Sequence, residues 1–595
     1  MNHQFTNHEL ATLFDKVAAV LTATGGDFFR TRAYQNAAAS IEHTASSVLE
    51  LWQENQLDTI PGVGTSIQEH LEELFTTGKV KEFDALFTKV PQGMFPLLNI
   101  SGVGPKKAYK LAKVLLLDDD STALNTLKAA IKAHKIQKIP GFGTESESDL
   151  SLGLEKALHA PKKRLLLPLA LDLSSRVINY LKKSSDCLEA ETLGSLRRRS
   201  ATIGDIDIAV STRDPAALTK HLLSWKEIKQ VISSGDKTTM FVHQSGLQVD
   251  VKTQYPDQWG SLLQHYTGSK LHNIQLRSRA VEAGMSLSEN GIKDKGQLYT
   301  FKTETDFYQY LKLDYIPPEL REGLGEIEAS QNHQLPGLVK LTDIKGDLHI
   351  HTDIDIATSH DQGVDTVADL LLKAKSLGYQ YIGLTDHNPR QSQISAKKRL
   401  DYVKRRKQSI EQSIYSLEKK HKNLSKVFTG LEVDIKSDGT LAVNDDILEQ
   451  LDYAIVSVHS RFNQDIDAAT SRILKALSHP KAKILGHPTG RLLNQRDGLS
   501  YHLDELFTFC VKHHKLLEIN SCPDRLDLPD NLIKPAIEAG VSLIIDTDSH
   551  AADHMELMSY GVTAARRGWA SPSNIANTLP YLHFRAILLG VTKNS

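Results

Sequence analysis

The 595-residue chain has little cysteine: three residues, Cys187, Cys510 and Cys522, stand far apart. So sparse a set excludes a disulfide framework and a cysteine-ligated zinc cluster, and it suits a reducing cytoplasm. No apolar run is long enough to cross a bilayer and none reads as a secretory signal, so no membrane partner is expected. Net charge is missing too, since 70 basic and 72 acidic side chains leave −2. A polyanionic partner must therefore be held by local patches, not by a global field. The candidate patches are Pro161–Arg164 (PKKR), Arg197–Arg199 (RRR) and Lys397–Lys407 (KKRLDYVKRRK), each also of the size of an ordinary solvated face.

What is present is length, enough for several domains. The first 155 residues or so read as helices with short breaks, and two breaks repeat. They are TIPGVGTSIQEHLEEL (Thr59–Leu74) and NISGVGPKKAYKLAKV (Asn99–Val114), each a Gly-Val-Gly turn ahead of an amphipathic helix. From about 165 to 260 apolar alternation predicts mixed α/β structure, and 261–330 reads as helical again. The polar, Pro-Gly-containing stretch Ala329–Lys340 reads as a linker. Beyond it, seven short apolar runs end in polar groups: GDLHIH, YIGLTDH, VFTGLEVDI, YAIVSVH, KILGH, LLEIN and LIIDTDSH. Helical stretches separate most of them, which predicts a parallel barrel with its site at the carboxyl ends of the strands.

In GSLRRRSATIGDIDIAV (Gly194–Val210), Asp205 and Asp207 are two residues apart, so a strand turns both to one face. Asp250 sits in a second alternating run, LQVDVKT. Three such acids repel unless cations join them, and two Mg²⁺ about 4 Å apart would clamp both oxygens of a phosphoryl transfer. Gly194 and Ser195 can form a tight turn, and Ser195 and Arg198 can hold phosphate oxygens. With HYTGSKLHN (His265–Asn273) and Arg277 downstream, this set resembles the nucleotidyltransferase palm of family X DNA polymerases. The resemblance implies that Asp205, Asp207 and Asp250 bind two Mg²⁺ and that Asp250 helps activate the primer 3′-hydroxyl. It implies that Gly194, Ser195, Arg198, Tyr266, Gly268 and Asn273 hold the deoxynucleoside triphosphate, with Arg277 facing the template strand.

The two glycine turns resemble helix-hairpin-helix motifs, in which Gly62, Gly64, Gly102 and Gly104 let backbone N–H groups approach DNA phosphates. RTRAYQNAAASI (Arg30–Ile41) is similar to the family's small domain, which implies that Arg30, Arg32 and Tyr34 lie near the 5′ side of a gap. Where eukaryotic members carry a lyase lysine, this chain has His70, which forms no such imine; Lys79 and Lys81 are near in sequence. A third glycine turn, Ile139–Gly143, is assigned no role.

His349 and His351 form an i, i+2 pair at a strand end, and His387, Glu432, His459, His487, Asp548 and His550 complete a set suited to Mn²⁺, Zn²⁺ or Fe²⁺. The pattern resembles the polymerase and histidinol phosphatase (PHP) domain, which implies a distorted seven-stranded barrel with up to three metals on these eight residues and a ninth ligand. In place of the usual Ser-Asp-Gly turn stands TDIDIATSHDQG, where Asp361 is the choice for that ligand and Asp355 the alternative. His349 and Glu432 are expected to be catalytic, and Arg461 and Arg491 are candidates for gripping phosphate, Arg491 equally for a structural role.

The expected fold is thus multidomain. Residues 1–90 form a small helical DNA-binding domain with the first hairpin, and 91–160 a fingers-like domain with the second. Residues 161–262 form an α+β palm, 263–328 a thumb, 329–340 a linker, and 341–595 the PHP barrel. The expected partners of a monomeric chain are gapped or primed DNA and deoxynucleoside triphosphates. The expected activity is short gap filling in base excision repair, with PHP 3′-5′ exonuclease or other end processing. Other readings make the chain a DNA-binding scaffold, or the barrel structural or a small-molecule phosphoesterase.

Overall fold

The computed structural model describes residues 5–590, apart from 6, 44–47, 49–51, 53–56, 58–59, 61, 99, 101–102, 145, 149, 152–153, 155–163 and the single positions 236, 246, 393, 463, 495 and 497. Gly102 and the patch residues Pro161 to Lys163 lie outside the described residues. Two compact units emerge, 1–163 and 164–595.

The first unit is helical. Asn7–Thr24, Phe28–His43, Thr65–Thr77, Lys81–Phe87, Pro105–Val114 and Asp120–Lys132 enclose a core around Phe14, Tyr34, Phe75 and Phe83. Both hairpin turns end on a glycine in extended backbone: Gly64 (ψ 174°) before Thr65–Thr77 and Gly104 (ψ 169°) before Pro105–Val114. No side chain caps either helix, and a Cβ added at Gly64 or Gly104 would meet nothing within 4 Å. The first-turn N–H groups of both helices are therefore open to an anion. Gly62, at φ +78°, supplies the left-handed residue that the first turn requires.

In the second unit, a five-stranded sheet runs in the order Glu189–Thr192, Ile206–Ser211, Gln248–Gln254, Thr238–His243, Ile228–Ser234. Ile206–Ser211 and Gln248–Gln254 are parallel neighbours; the other pairs are antiparallel. The helices Leu167–Leu181 and Pro215–Leu223 share its apolar core. The stretch expected to be helical over 261–330 does contain Trp259–Thr267, Lys270–Glu282, Glu304–Tyr310 and Glu326–Gln331. It also contains a three-stranded antiparallel sheet, Met285–Ser288, Gly291–Asp294 and Gln297–Tyr299. Those strands are three or four residues long and joined by tight turns, too short to show a period in the sequence.

Beside a two-stranded ribbon of Leu165–Leu166 and Thr202–Ile203, seven parallel strands form a nearly closed barrel in chain order: Gly346–Ile350, Tyr381–Leu384, Lys426–Asp434, Tyr453–Ser457, Ala482–Leu485, Leu516–Asn520 and Leu543–Asp546. A parallel bridge from Ile350 to Ser549 ties the last strand end to the first. Most of these strand residues are buried, which is why the strands read as unbroken apolar runs. The expected linker is no free tether: Leu338 and Val339 are buried, and the Val339 N–H bonds the Ala570 carbonyl.

Two candidate metal centres

The register of the mixed sheet sets Asp207 opposite Asp250, and Asp205 lies two residues ahead of Asp207 in the turn before the strand. The Leu193 N–H bonds the Asp207 carbonyl (2.8 Å), which ties the Gly194 turn to that strand. At Gly194 (φ +56°) a Cβ would stand 2.9 Å from the Asp207 carboxylate, so only glycine brings the turn this close. Burial raises the Asp207 carboxyl above the ordinary range; Lys252 and Arg198 oppose the rise, while Asp205 and Asp250 add to it. Three carboxylates thus act on one another beside two cations. A divalent cation removes the repulsion.

Around this cluster, Arg198 donates from Nη1 to the Thr267 carbonyl (2.5 Å) and from Nε to Glu322 Oε1 (3.0 Å). Ser195 lies half-buried on the single helical turn Gly194–Arg197. Gly268 is left-handed (φ +64°), and a Cβ there would sit 3.2 Å from Arg198 Nη1. Tyr266 packs with Leu193, Trp259 and Leu262 under the Lys252 ammonium, 4.7 Å from its ring centre. Asn273 donates to the His265 carbonyl (2.7 Å) and accepts from Gln264 (3.1 Å). Arg277 lies 3.5 Å from the buried His265 Nδ1. Sequence reasoning missed Lys252, although it shares a strand face with Asp250, and a buried network joining Arg197, Glu304 and Arg321.

In the first unit, Tyr34 corrects an expectation. It is 2% exposed, and its hydroxyl bonds His70 Nδ1 (3.0 Å), so the side chain supports the core instead of meeting DNA. Arg30 is paired with Glu82, and Arg32 is the most open member of the group. His70 Nε2 is also on Glu82 (3.0 Å), so both ring nitrogens are engaged, while Lys79 and Lys81 are exposed.

At the carboxyl ends of the barrel strands the histidines converge on Glu432. His387 Nδ1 and His487 Nε2 lie 2.9 Å from its carboxylate, His349 and His459 3.3 Å, and His351 3.7 Å. Asp548 stands 3.2 Å from His351 Nε2. Asp361 reaches His387 and His550, at 3.4 Å from each, whereas Asp355 turns back to accept the Ala357 N–H. Glu518 accepts a hydrogen bond from His349 Nδ1 (2.6 Å) and Asp434 one from His459 Nδ1 (2.7 Å), which aims each Nε2 inward. Burial lowers His387 and His459, but Glu432 and the second carboxylate beside each ring push them up to about 10 and about 9.

The donor set fits divalent cations. His349 Nε2, His351 Nδ1, His387 Nδ1, Glu432 Oε2, His487 Nδ1 and His550 Nε2 are buried without a hydrogen-bond partner. Ligand atoms of His349, His351, Glu432 and Asp548 lie within 4.8 Å of one another, as do those of His387, Glu432 and His459 and of His351, His387 and His550.

Glu518, Asp434, His360 and Arg525 escaped the sequence reading. His360 Nε2 bonds Asp434 (2.9 Å), and Arg525 Nε lies 3.9 Å from Asp548. The phosphate role considered for Arg491 is overturned, because its guanidinium is bound to the Arg525 and Leu526 carbonyls. Arg406, in the Lys397–Lys407 run, is buried against Asp386 and the Gly430 carbonyl and is no part of a solvated patch.

A palm and thumb with an acidic triad, followed by a histidine-lined barrel, define an enzyme of nucleotidyl transfer with a second metal-dependent centre. The helix-hairpin-helix domain family matches residues 5–80, the DNA polymerase beta thumb 262–322 and the PHP domain 347–522. Over 573 residues the chain is 33% identical to the DNA polymerase/3′-5′ exonuclease PolX of Bacillus subtilis (strain 168), covering 96% of this chain and 97% of that one. DNA polymerase lambda of Arabidopsis thaliana is 24% identical over 309 residues, 48% of this chain and 54% of that one. A probable phosphatase of Thermoanaerobacter sp. (strain X514) is 27% identical over 216 residues, 35% of this chain and 79% of that one. The chain belongs to the family X DNA polymerases that carry a PHP domain.

Proposed function

We propose that the chain fills short gaps in DNA during repair and trims 3′ ends in its barrel. One observation carries the polymerase reading: Asp205, Asp207 and Asp250 meet beside the Gly194 turn and Arg198. In this reading Asp250, 3% exposed, takes the proton of the primer 3′-hydroxyl as its oxygen bonds the α-phosphorus and pyrophosphate departs. Ser195, Arg198, Tyr266, Gly268 and Asn273 surround the nucleotide, and Arg277 faces the template. Two Mg²⁺ on the triad would supply charge stabilisation to the attacking and leaving oxygens.

In the barrel, up to three ions, Mn²⁺ or else Zn²⁺ or Fe²⁺, would lie on His349, His351, Asp361, His387, Glu432, His459, His487, Asp548 and His550, supplying Lewis acidity to a terminal phosphodiester. DNA is gripped in the first unit through the open N–H groups after Gly64 and Gly104. Asp205→Ala should abolish primer extension with Mg²⁺ and spare Mn²⁺-dependent 3′ resection, and His349→Ala should do the reverse. Extension by Asp205→Ala at the wild-type rate rejects the polymerase centre. The probable phosphatase relative favours a second reading of the barrel, as a phosphoesterase. Release of phosphate from a small ester, with 3′ ends left intact, would decide for it.

A further inference from the structure

We propose that Arg567, on the barrel, is a positioning residue for the polymerase's nucleotide site; this rests on the reading that Arg198 holds the triphosphate. Arg567 closes the helix Met558–Arg567, and its side chain is 9% exposed. Its Nη1 donates to the backbone carbonyl of Arg198 (2.6 Å) and to Glu322 Oε1 (2.9 Å). That same Glu322 oxygen accepts Arg198 Nε (3.0 Å). One carboxylate oxygen therefore joins a guanidinium of the palm to a guanidinium of the barrel. Asp530 Oδ2 holds the far side of Arg567, at 2.7 Å from Nε and 2.6 Å from Nη2, and so fixes the plane of its fork.

The consequence falls on Arg198, whose backbone and side chain are both held by this bridge. A further side-chain bond, Nη1 to the Thr267 carbonyl, ties it to the turn that carries Gly268. That turn is anchored in its own right, since the Ser269 N–H bonds the Arg321 carbonyl (3.0 Å), one residue before Glu322. Arg199, next in the loop, is left-handed at φ +59°, a conformation a non-glycine residue keeps only when its surroundings impose it. Arg199 lines a small cleft with Tyr560, Ala564 and Arg567 of the barrel. The barrel thus provides the wall against which the phosphate-binding loop is set; removing Arg567 frees the Arg198 carbonyl and takes from Glu322, the partner of the Arg198 guanidinium, its anchor on the barrel.

A glue contact would behave differently, and the neighbouring residue supplies the control. Arg566 joins the barrel to Glu319 of the thumb (2.8 Å) and to the Val339 carbonyl of the linker (3.1 Å), and among the described residues it makes no hydrogen bond to the Arg198 loop. The test uses full-length protein, gapped primer–template, one deoxynucleoside triphosphate and Mg²⁺. Arg567→Ala should raise KM for the nucleotide about tenfold, the size of one lost charge-assisted hydrogen bond, with kcat changed by less than about twofold. Arg567→Lys should recover part of the loss, and 3′ resection with Mn²⁺ should be unchanged. Arg566→Ala should leave KM where it is; an equal rise in both variants overturns the proposal. Arg198→Ala separates the two levels. If it raises KM and Arg567→Ala does not, the positioning role is rejected and the nucleotide reading stands. If Arg198→Ala leaves KM unchanged, the nucleotide reading falls and takes the proposal with it. Should Arg567→Ala fold poorly, Glu322→Gln breaks the same bridge from the thumb, and an unchanged KM there is equally fatal.

Discussion

Glu304 is buried and receives Arg197 through both oxygens (2.9 and 2.7 Å) and Arg321 through one (2.6 Å). Burial alone would raise its carboxyl; the two guanidiniums overcome that and hold it below its ordinary value. A depressed carboxyl lends stability that is complete above its unfolded value, about pH 4.3, and that is lost as pH falls toward the folded one. Thermal unfolding between pH 3 and 6 should therefore show an acid limb that Glu304→Gln flattens. At pH 7 that variant should lose about 3 kcal/mol, since two guanidiniums keep no counter-charge. At the other centre, Arg525 is 20% exposed beside Asp548, placed to meet a phosphate. Arg525→Ala should raise KM for 3′-recessed DNA in resection assays and leave primer extension intact. Asp205 and Asp207 were legible because their spacing matches a strand's period of two, although the strand begins at Ile206 and Asp205 joins the cluster from the turn before it. Arg525 was not, because nothing in CPDRLDLPD separates a charged loop residue from a rim residue.

Among the elements, the hairpin helices carry a measurable consequence. Lys106 is exposed in the first turn of Pro105–Val114, next to the open N–H groups behind Gly104. Lys106→Ala should weaken binding to gapped DNA of any sequence and lower the slope of log affinity against log salt by about one. Gly62→Ala should instead cost about 1 kcal/mol of stability, through its positive φ and a Cβ 3.3 Å from Asn36. These motifs showed in the sequence because they repeat, and the barrel strands showed because each apolar run ends in a metal-binding or other polar residue. The thumb's small sheet did not, since strands of three and four residues leave no periodic trace.

For the whole molecule, the barrel's cation demand should dominate thermal behaviour. Six buried ligand nitrogens and oxygens lack hydrogen-bond partners, so Mn²⁺ at a hundred times its Kd should stabilise the barrel by about 2.7 kcal/mol. Differential scanning calorimetry with and without chelator reads this directly, and Glu432→Gln should abolish most of the shift. The bridge between barrel and palm was hidden from sequence for a simple reason. Arg567 lies 369 residues from Arg198 and 245 from Glu322, and no local pattern encodes such a pairing.

The buried Leu338–Val339 segment, finally, bears on proofreading. A chain stitched down between thumb and barrel leaves no slack for one catalytic body to swing toward the other. A mispaired terminus must therefore do the travelling itself, by fraying from its template or leaving the protein. The pace of correction then follows the melting of the end base pairs, so A·T-rich termini should be excised sooner than G·C-rich ones.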